Sequence, residues 1–320
     1  MKPLVCGGGF LTRLVNAHTH LELTVLAGRL PPHLDFTSWI EALVEARRRL
    51  GSREISQGIA RAIEDLKACG TVAIGDVTST GLSVEPLLES GLSGIVFIEV
   101  LGREPSYATE RLRNAQIRVN DWRRRENGMR IGLSVHSPYT SNPELLQAAS
   151  RWCIAERVPL AVHAAESRAE VRYLRDGTGP LRELNERLLP GCRHYVPGLS
   201  PIAYLNSLGV LQARPLLIHG VEVDDDDLRQ VWHTGCAVVH CPRSNMRLGC
   251  NRMPLERYLA RGITVAIGTD SLASAPSLDV RDEIAAATSL HAQRISKEVL
   301  TDIATIGGLR ALGLDQTAIF

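Results

Sequence analysis

The stretch Leu11-Thr12-Arg13-Leu14-Val15-Asn16-Ala17-His18-Thr19-His20-Leu21-Glu22 passes from an apolar run straight into a His-x-His pair. Read as a strand over Leu11 to Asn16 with His18-Thr19-His20 at its carboxyl end, it puts two imidazoles on one side, because residues two apart in a strand share a face. Alone, such a pair is weak evidence for a metal site. Its weight depends on what the rest of the chain brings to the same place.

Seven further short runs rich in β-branched and apolar residues follow, over Thr71 to Asp76, Gly94 to Val100, Arg130 to His136, Leu160 to His163, Leu216 to His219, Ala237 to His240 and Thr264 to Gly268. Longer segments of helical periodicity separate them. Eight βα units predict an α/β protein closed as a (β/α)8 TIM barrel rather than an open sheet. The helices carry physical punctuation. Asn142 and Pro143 read as N-cap and first helical residue, with Leu145, Leu146, Ala149, Trp152 and Cys153 on one face. Ile55, Ile59, Ile63 and Leu66 form a stripe that stops at Gly70, and Asp224 opens a helix with Leu228, Val231 and Trp232 inward and Gly235 after its end. The acidic run Asp224 to Asp227 is therefore read as complementing a helix dipole rather than as a metal site. The longest gap between strands, residues 21 to 70, has room for a loop and helix over a pocket. Phe36 to Leu43 is its hydrophobic anchor, with ordinary packing preferred over a lid.

At 320 residues, 44% hydrophobic and 22% charged, the chain has the composition of a globular protein, and one barrel domain over 1–320 is the economical reading. A net charge of +1 gives no general pull toward nucleic acid or membrane, so the expected partner is a small molecule chosen by a pocket. No apolar run approaches the roughly 20 residues of a membrane helix, and the first residues do not resemble a secretory signal. Seven cysteines without disulfide-like spacing fit reduced thiols, and a cytoplasmic location is expected. Cys236, Cys241 and Cys250 match no usual zinc-finger spacing, and Cys236 is expected to pack in a strand.

The chemistry gathers at strand ends, where barrel enzymes keep their active sites. His163 ends the fifth strand, His219 the sixth, and Asp270 follows the eighth. His18, His20, His163 and Asp270 form an N3O donor set suited to Zn²⁺, with Fe²⁺ as the alternative. An ion there lowers the pKa of a bound water toward about 7. Glu166, three residues beyond His163, is placed to move a proton, against the alternative of a solvated loop glutamate. Asp270 is expected to accept the water's proton as well as bind the ion, and His219 to be either a further ligand or a hydrogen-bond partner of the water. Lysines occur only at positions 2, 67 and 297, none at a strand end, so no carboxylated lysine is available to bridge two ions. A single ion is expected, with His136 at the fourth strand end contacting substrate or packing in the core. His194 and His233 are read as core histidines.

These residues resemble a known family. Asn16-Ala17-His18-Thr19-His20-Leu21-Glu22, His163-Ala164-Ala165-Glu166-Ser167, Leu217-Ile218-His219-Gly220, His240-Cys241-Pro242-Arg243-Ser244-Asn245 and Gly268-Thr269-Asp270-Ser271 resemble, in order, the amidohydrolase superfamily. The likeness is to its branch of deaminases and triazine chlorohydrolases. It implies one ion on His18, His20, His163 and Asp270, with Glu166 as proton shuttle and His219 bonded to the hydrolytic water. Glu22, His136 and Ser271 are then expected at the substrate pocket, while Asn245 and His240 order the loop beyond the seventh strand. The implied reaction is deamination of an aminopurine nucleoside of the aminofutalosine or adenosyl type. The alternatives are a chlorohydrolase or amide hydrolase, or a noncatalytic metal-binding barrel. Arg103 meets either an acidic group on such a substrate or a surface salt-bridge partner. The accessory β-sandwich of relatives is expected to be largely absent, residues 1–10 being its remnant, with a homodimer or lowered stability as the consequence.

Overall fold

The computed structural model describes residues 13–292 and 294–315, with the backbone of 5–6 and 9–10. Val5–Cys6 pairs antiparallel with Gly9–Phe10; the remainder of the supposed sandwich remnant, and Leu11 and Thr12 of the expected first strand, lie outside the described residues.

Eight strands form one parallel sheet in chain order, β1 Leu14–Thr19, β2 Thr71–Thr78, β3 Ser93–Val100, β4 Met129–Val135, β5 Leu160–Ala164, β6 Leu216–His219, β7 Val238–His240 and β8 Val265–Ile267. Each lies within a few residues of its expected place. The sheet closes where Asp270 N–H donates to His18 O at 3.0 Å, a parallel bridge joins Thr19 to Asp270, and Asn16 spans the seam with its side chain. Asn16 Nδ2 donates to Thr269 Oγ1 at 2.8 Å while its Oδ1 accepts from Thr269 N at 3.0 Å. A side-chain amide thus supplies hydrogen bonds that a ladder would otherwise make. The structure is a TIM barrel.

Closure needs a residue without a side chain at the seam. A Cβ on Gly268 would stand 2.8 to 2.9 Å from His18 Cβ, N and O. Since backbone cannot rotate away, Gly268→Ala is expected to cost about 3 kcal/mol of stability, the upper part of the overpacking range. Chemical denaturation checks this; a loss below about 1 kcal/mol would mean that the seam is pliable.

The barrel interior is filled by Val15, Ala17, Ala73, Val77, Ile95, Phe97, Ala161, Ile218, Val239 and Ala266, and Leu309 and Leu312 join them from below. These leucines belong to the last described helix, Ile306–Ala311, and its cap. That helix approaches closely, since a Cβ on Gly308 would lie 2.5 Å from Val15 Cβ. The helix covers this end of the barrel, and barrels of this kind keep their active sites at the carboxyl ends of the strands.

The expected caps are present. Asn142 Oδ1 accepts Leu145 N–H at 2.7 Å, Asp224 and Asp227 close a capping box, and Gly235 ends that helix at φ +70°. Trp232 corrects the expectation: Leu228 and Val231 are buried, whereas Trp232 flanks that stripe and is 54% exposed. His233 beside it is also exposed, not core. The segment after β1 carries the helix Phe36–Arg48, where Phe36 and Trp39 are buried and Trp39 Nε1 donates to Ala273 O at 3.3 Å. It packs over the β8 side of the barrel mouth. No helix among the described residues is long and apolar enough to cross a membrane.

Candidate metal-dependent active site

Strict alternation along β1 would point His18 outward, because Val15 and Ala17 already face the interior. The ladder with β2 carries an irregularity: Asn16 pairs with Ile74, but Thr19 pairs with Asp76. Three steps on β1 therefore match two on β2, and the extra residue turns His18 inward beside Ala17. His20, two residues on, shares that face. Asp76 fixes the bend, its Oδ1 accepting from Leu21 N at 2.9 Å and Thr19 Oγ1 at 3.1 Å and its Oδ2 from Ser83 Oγ at 2.6 Å.

Three more side chains arrive from β5, β6 and the β8 end. His20 Nε2 lies 3.3 Å from His163 Nε2, and Asp270 Oδ1 lies 3.6 Å from His18 Nε2 and 3.8 Å from His20 Nε2. His18, His163 and His219 form one group of potential ligand atoms, and His18, His20 and Asp270 another. His219 Nε2 is 3.4 Å from Glu166 Oε1. Three residues at these strand ends, Ala165, His219 and Asp270, are non-glycines with positive φ of 55°, 78° and 59°. Such conformations cost about 1–3 kcal/mol each and persist where the surroundings enforce them.

The surroundings also set which atom faces the centre. His163 Nδ1 donates to His136 O at 2.9 Å, which turns its Nε2 toward the cluster. His219 Nδ1 is 3.1 Å from Asn245 Oδ1, which directs its Nε2 toward Glu166. Asp270 Oδ2 accepts from Ser244 Oγ at 2.6 Å and Ser274 Oγ at 2.9 Å, so Oδ1 is turned to the histidines. The Ser244 and Ser274 contacts and the Asn245 link to His219 were not foreseen. They follow motif residues whose roles emerge only when β7 and β8 meet.

Burial holds His20 and His219 near neutral imidazole, with pKa values lowered to about 3 and about 4. His163 is pushed well below its ordinary value for the same reason. Burial alone would raise Asp270, but the His18 ring facing it at 3.6 Å outweighs this and keeps its carboxyl well below the usual carboxylate range. Glu166 goes the other way, raised well above its ordinary value by burial and then by the charges of Asp270 and Glu170. Two carboxyls at one site are thus separated in proton affinity, the arrangement that divides acid from base.

The other expected residues fall in different places. His136 is part-exposed at the mouth, its Nδ1 2.9 Å from Thr140 Oγ1 and 3.1 Å from Ser137 Oγ. Glu22 is buried; its carboxylate accepts from the Thr78 and Thr80 hydroxyls, from Ser79, and from Arg47 NH2 at 3.1 Å. Ser271 is fully buried, with its hydroxyl 3.3 Å from that of Ser274. Arg103 overturns the surface salt bridge: it is buried, and its guanidinium donates to Tyr139 O and to Tyr173 Oη at 3.1 Å. His194, read as core, is half-buried between Tyr173 Oη at 3.0 Å and Glu186 at 2.8 Å. His240 points away from the cluster to His291, Nε2 to Nε2 3.4 Å. Cys69, Cys153, Cys192, Cys236, Cys241 and Cys250 are free thiols.

A family profile, the amidohydrolase family, matches residues 13–318. The chain belongs to the amidohydrolase family. This amidohydrolase is 37% identical over 308 residues to an aminodeoxyfutalosine deaminase of Deinococcus radiodurans, covering 93% of this chain and 72% of that protein. It is 31% identical to a 5-methylthioadenosine/S-adenosylhomocysteine deaminase of Syntrophobacter fumaroxidans, over 95% of this chain and 67% of that one. Among solved structures, Helicobacter pylori aminofutalosine deaminase in complex with methylthio-coformycin superposes with a TM-score of 0.82 at 22% identity, covering 94% of this chain and 74% of that one. An adenosine deaminase from Xanthomonas campestris with bound zinc gives 0.78 at 24% identity, over 94% and 66%. At those identities the structural likeness speaks for the fold.

The amidohydrolase donor set fits a divalent cation on its own chemistry. His18 Nε2 is buried without a hydrogen-bond partner, although it faces an ionised carboxylate and two further imidazoles. A buried polar atom without a partner is costly unless something else engages it. Neutral imidazoles beside a carboxylate suit Zn²⁺ and similar borderline ions.

Proposed function

We propose that this amidohydrolase is a hydrolytic deaminase of aminopurine nucleosides of the aminofutalosine or adenosyl type, releasing ammonia. The observation that carries the reading is the geometry: Glu166 Oε1 lies 3.4 Å from His219 Nε2 while Asp270 Oδ1 faces His18 and His20 across the same histidine cluster. The activities named for its relatives support the substrate class.

His18, His20, His163 and Asp270 would hold one divalent ion, Zn²⁺ or alternatively Fe²⁺, which when bound supplies a water acidic enough to attack at neutral pH. Asp270 Oδ1, the oxygen its two serines leave free, takes a proton from the attacking water. Glu166 delivers its proton to the ring nitrogen next to the amine-bearing carbon. As the carbon–oxygen bond forms, that ring nitrogen becomes N–H, and Asp270 passes its proton to the amine. The carbon–nitrogen bond then breaks, ammonia leaves, and the proton of the new C–OH returns to Glu166 as the C=O forms. His219 Nε2, directed by Asn245, accepts a hydrogen bond on the water's side of the site. His136, part-exposed at the mouth, would contact substrate.

Ammonia release from metal-reconstituted protein tests this. The panel contains aminodeoxyfutalosine, S-adenosylhomocysteine, 5-methylthioadenosine, a chlorotriazine and an amide substrate. Ammonia from the nucleosides is expected. Chloride release without ammonia, or no turnover by protein that retains its ion, would replace the deaminase with a chlorohydrolase or a noncatalytic barrel.

A further inference from the structure

Behind Glu166 lies a second carboxylate. Glu170, in the first turn of helix Arg168–Asp176, is fully buried, and its Oε2 accepts the backbone N–H of Glu166 at 2.8 Å. Its Oε1 is buried without a hydrogen-bond partner. In return Ser167 Oγ accepts Glu170 N–H at 3.2 Å. This is a capping box whose carboxylate reaches one residue beyond the N-cap, onto the backbone of Glu166.

The turn it grips is held from the opposite side as well. Ala165 O accepts from Val221 N and Glu222 N, both at 2.8 Å, and Ala164 O accepts from Gly220 N at 3.1 Å. Carbonyls are drawn to the β6 end and the Glu166 amide to Glu170, next to a left-handed alanine at 165. A strained turn of this kind relaxes if either side lets go. Relaxation would swing the Glu166 carboxyl away from His219.

An ordinary helix cap needs no buried charge, because an exposed Glu or Gln serves it equally well. Burial pushes the Glu170 carboxyl up to about 7, a penalty that helix capping alone does not explain. A carboxylate is acceptor-only, so either oxygen can take the Glu166 amide, whereas a glutamine must put an NH2 into the same buried place.

We propose that Glu170 is a positioning residue, holding the backbone of residues 165–167 so that the Glu166 carboxyl stays opposite His219. It sets turnover without touching substrate. The inference rests on the assignment of Glu166 as proton carrier.

The test uses the full chain reconstituted with Zn²⁺ and follows ammonia release from S-adenosylhomocysteine and 5-methylthioadenosine. Misplacement of a reacting group by about 1 Å costs on the order of a hundredfold, so Glu170→Ala is expected to lower kcat by about that factor. KM should stay within about twofold and the ion content should not change. Glu170→Gln keeps one acceptor and should recover about tenfold of the loss. Combined with Glu166→Gln, Glu170→Ala should add less than about threefold, since both changes remove one function. A Glu170→Ala kcat within about twofold of wild type, or a loss that multiplies in full onto Glu166→Gln, would overturn the proposal. If Glu170→Ala does not fold, Glu170→Gln decides: a kcat lowered about tenfold at unchanged KM supports the proposal, and wild-type kcat sinks it. Wild-type turnover in Glu166→Gln would instead remove the assignment of Glu166 itself.

Discussion

Glu166→Gln is expected to lower kcat by about a thousandfold while leaving the ion in place, the middle of the range for losing a general acid. The side chain is 9% exposed, and the substitution is nearly isosteric, so folding should survive. What disappears is a carboxyl whose proton affinity is raised well above its ordinary value by burial and by the neighbouring charges of Asp270 and Glu170. Elemental analysis together with steady-state ammonia release separates the two quantities. A variant that keeps its ion and turns over within tenfold of wild type would show that the proton comes from elsewhere.

Asp270→Asn should give the contrasting result, with both ion and activity lost. Among the described residues the carboxylate is the one anionic donor facing His18 and His20, and its Oδ2 is already committed to Ser244 and Ser274. An amide preserves the shape but removes the charge that balances the cation, and with its oxygen kept on the Ser244 and Ser274 hydroxyls it turns its NH2 toward the histidines. Without the ion, the pKa of the attacking water returns toward about 15.7, and a loss of at least about ten-thousandfold is expected. Retention of a full equivalent of Zn²⁺ after dialysis would refute the ligand assignment. Read together, the two substitutions distinguish holding the ion from moving the proton.

The further residues tie these effects to the scaffold. Gly268 lets β8 approach His18, so the seam and the ligand set depend on one close contact. Asn16, two residues before His18, fastens that seam with a side chain. Ligand geometry and barrel closure are therefore parts of the same construction.

The amino-acid sequence by itself determined the eight strands, the order of the βα units, the principal helix caps and the family, because these depend on local periodicity and on motif residues close together in the chain. It also named the side chains that gather at the barrel mouth, since strand ends converge in this fold. Tertiary structure decided which way they point. The extra residue in β1 turns His18 inward, and it is visible only in the pairing with β2. Arg103 lies buried against Tyr139 and Tyr173 rather than in a surface ion pair, because the chain after β4 folds over it. Glu22 spends its carboxylate on Thr78, Thr80 and Arg47, and Glu170 lies beneath Glu166, through contacts between segments that no local pattern relates. Periodicity reports the face a residue occupies relative to its own neighbours; the partner waiting on that face is set by packing across the whole barrel.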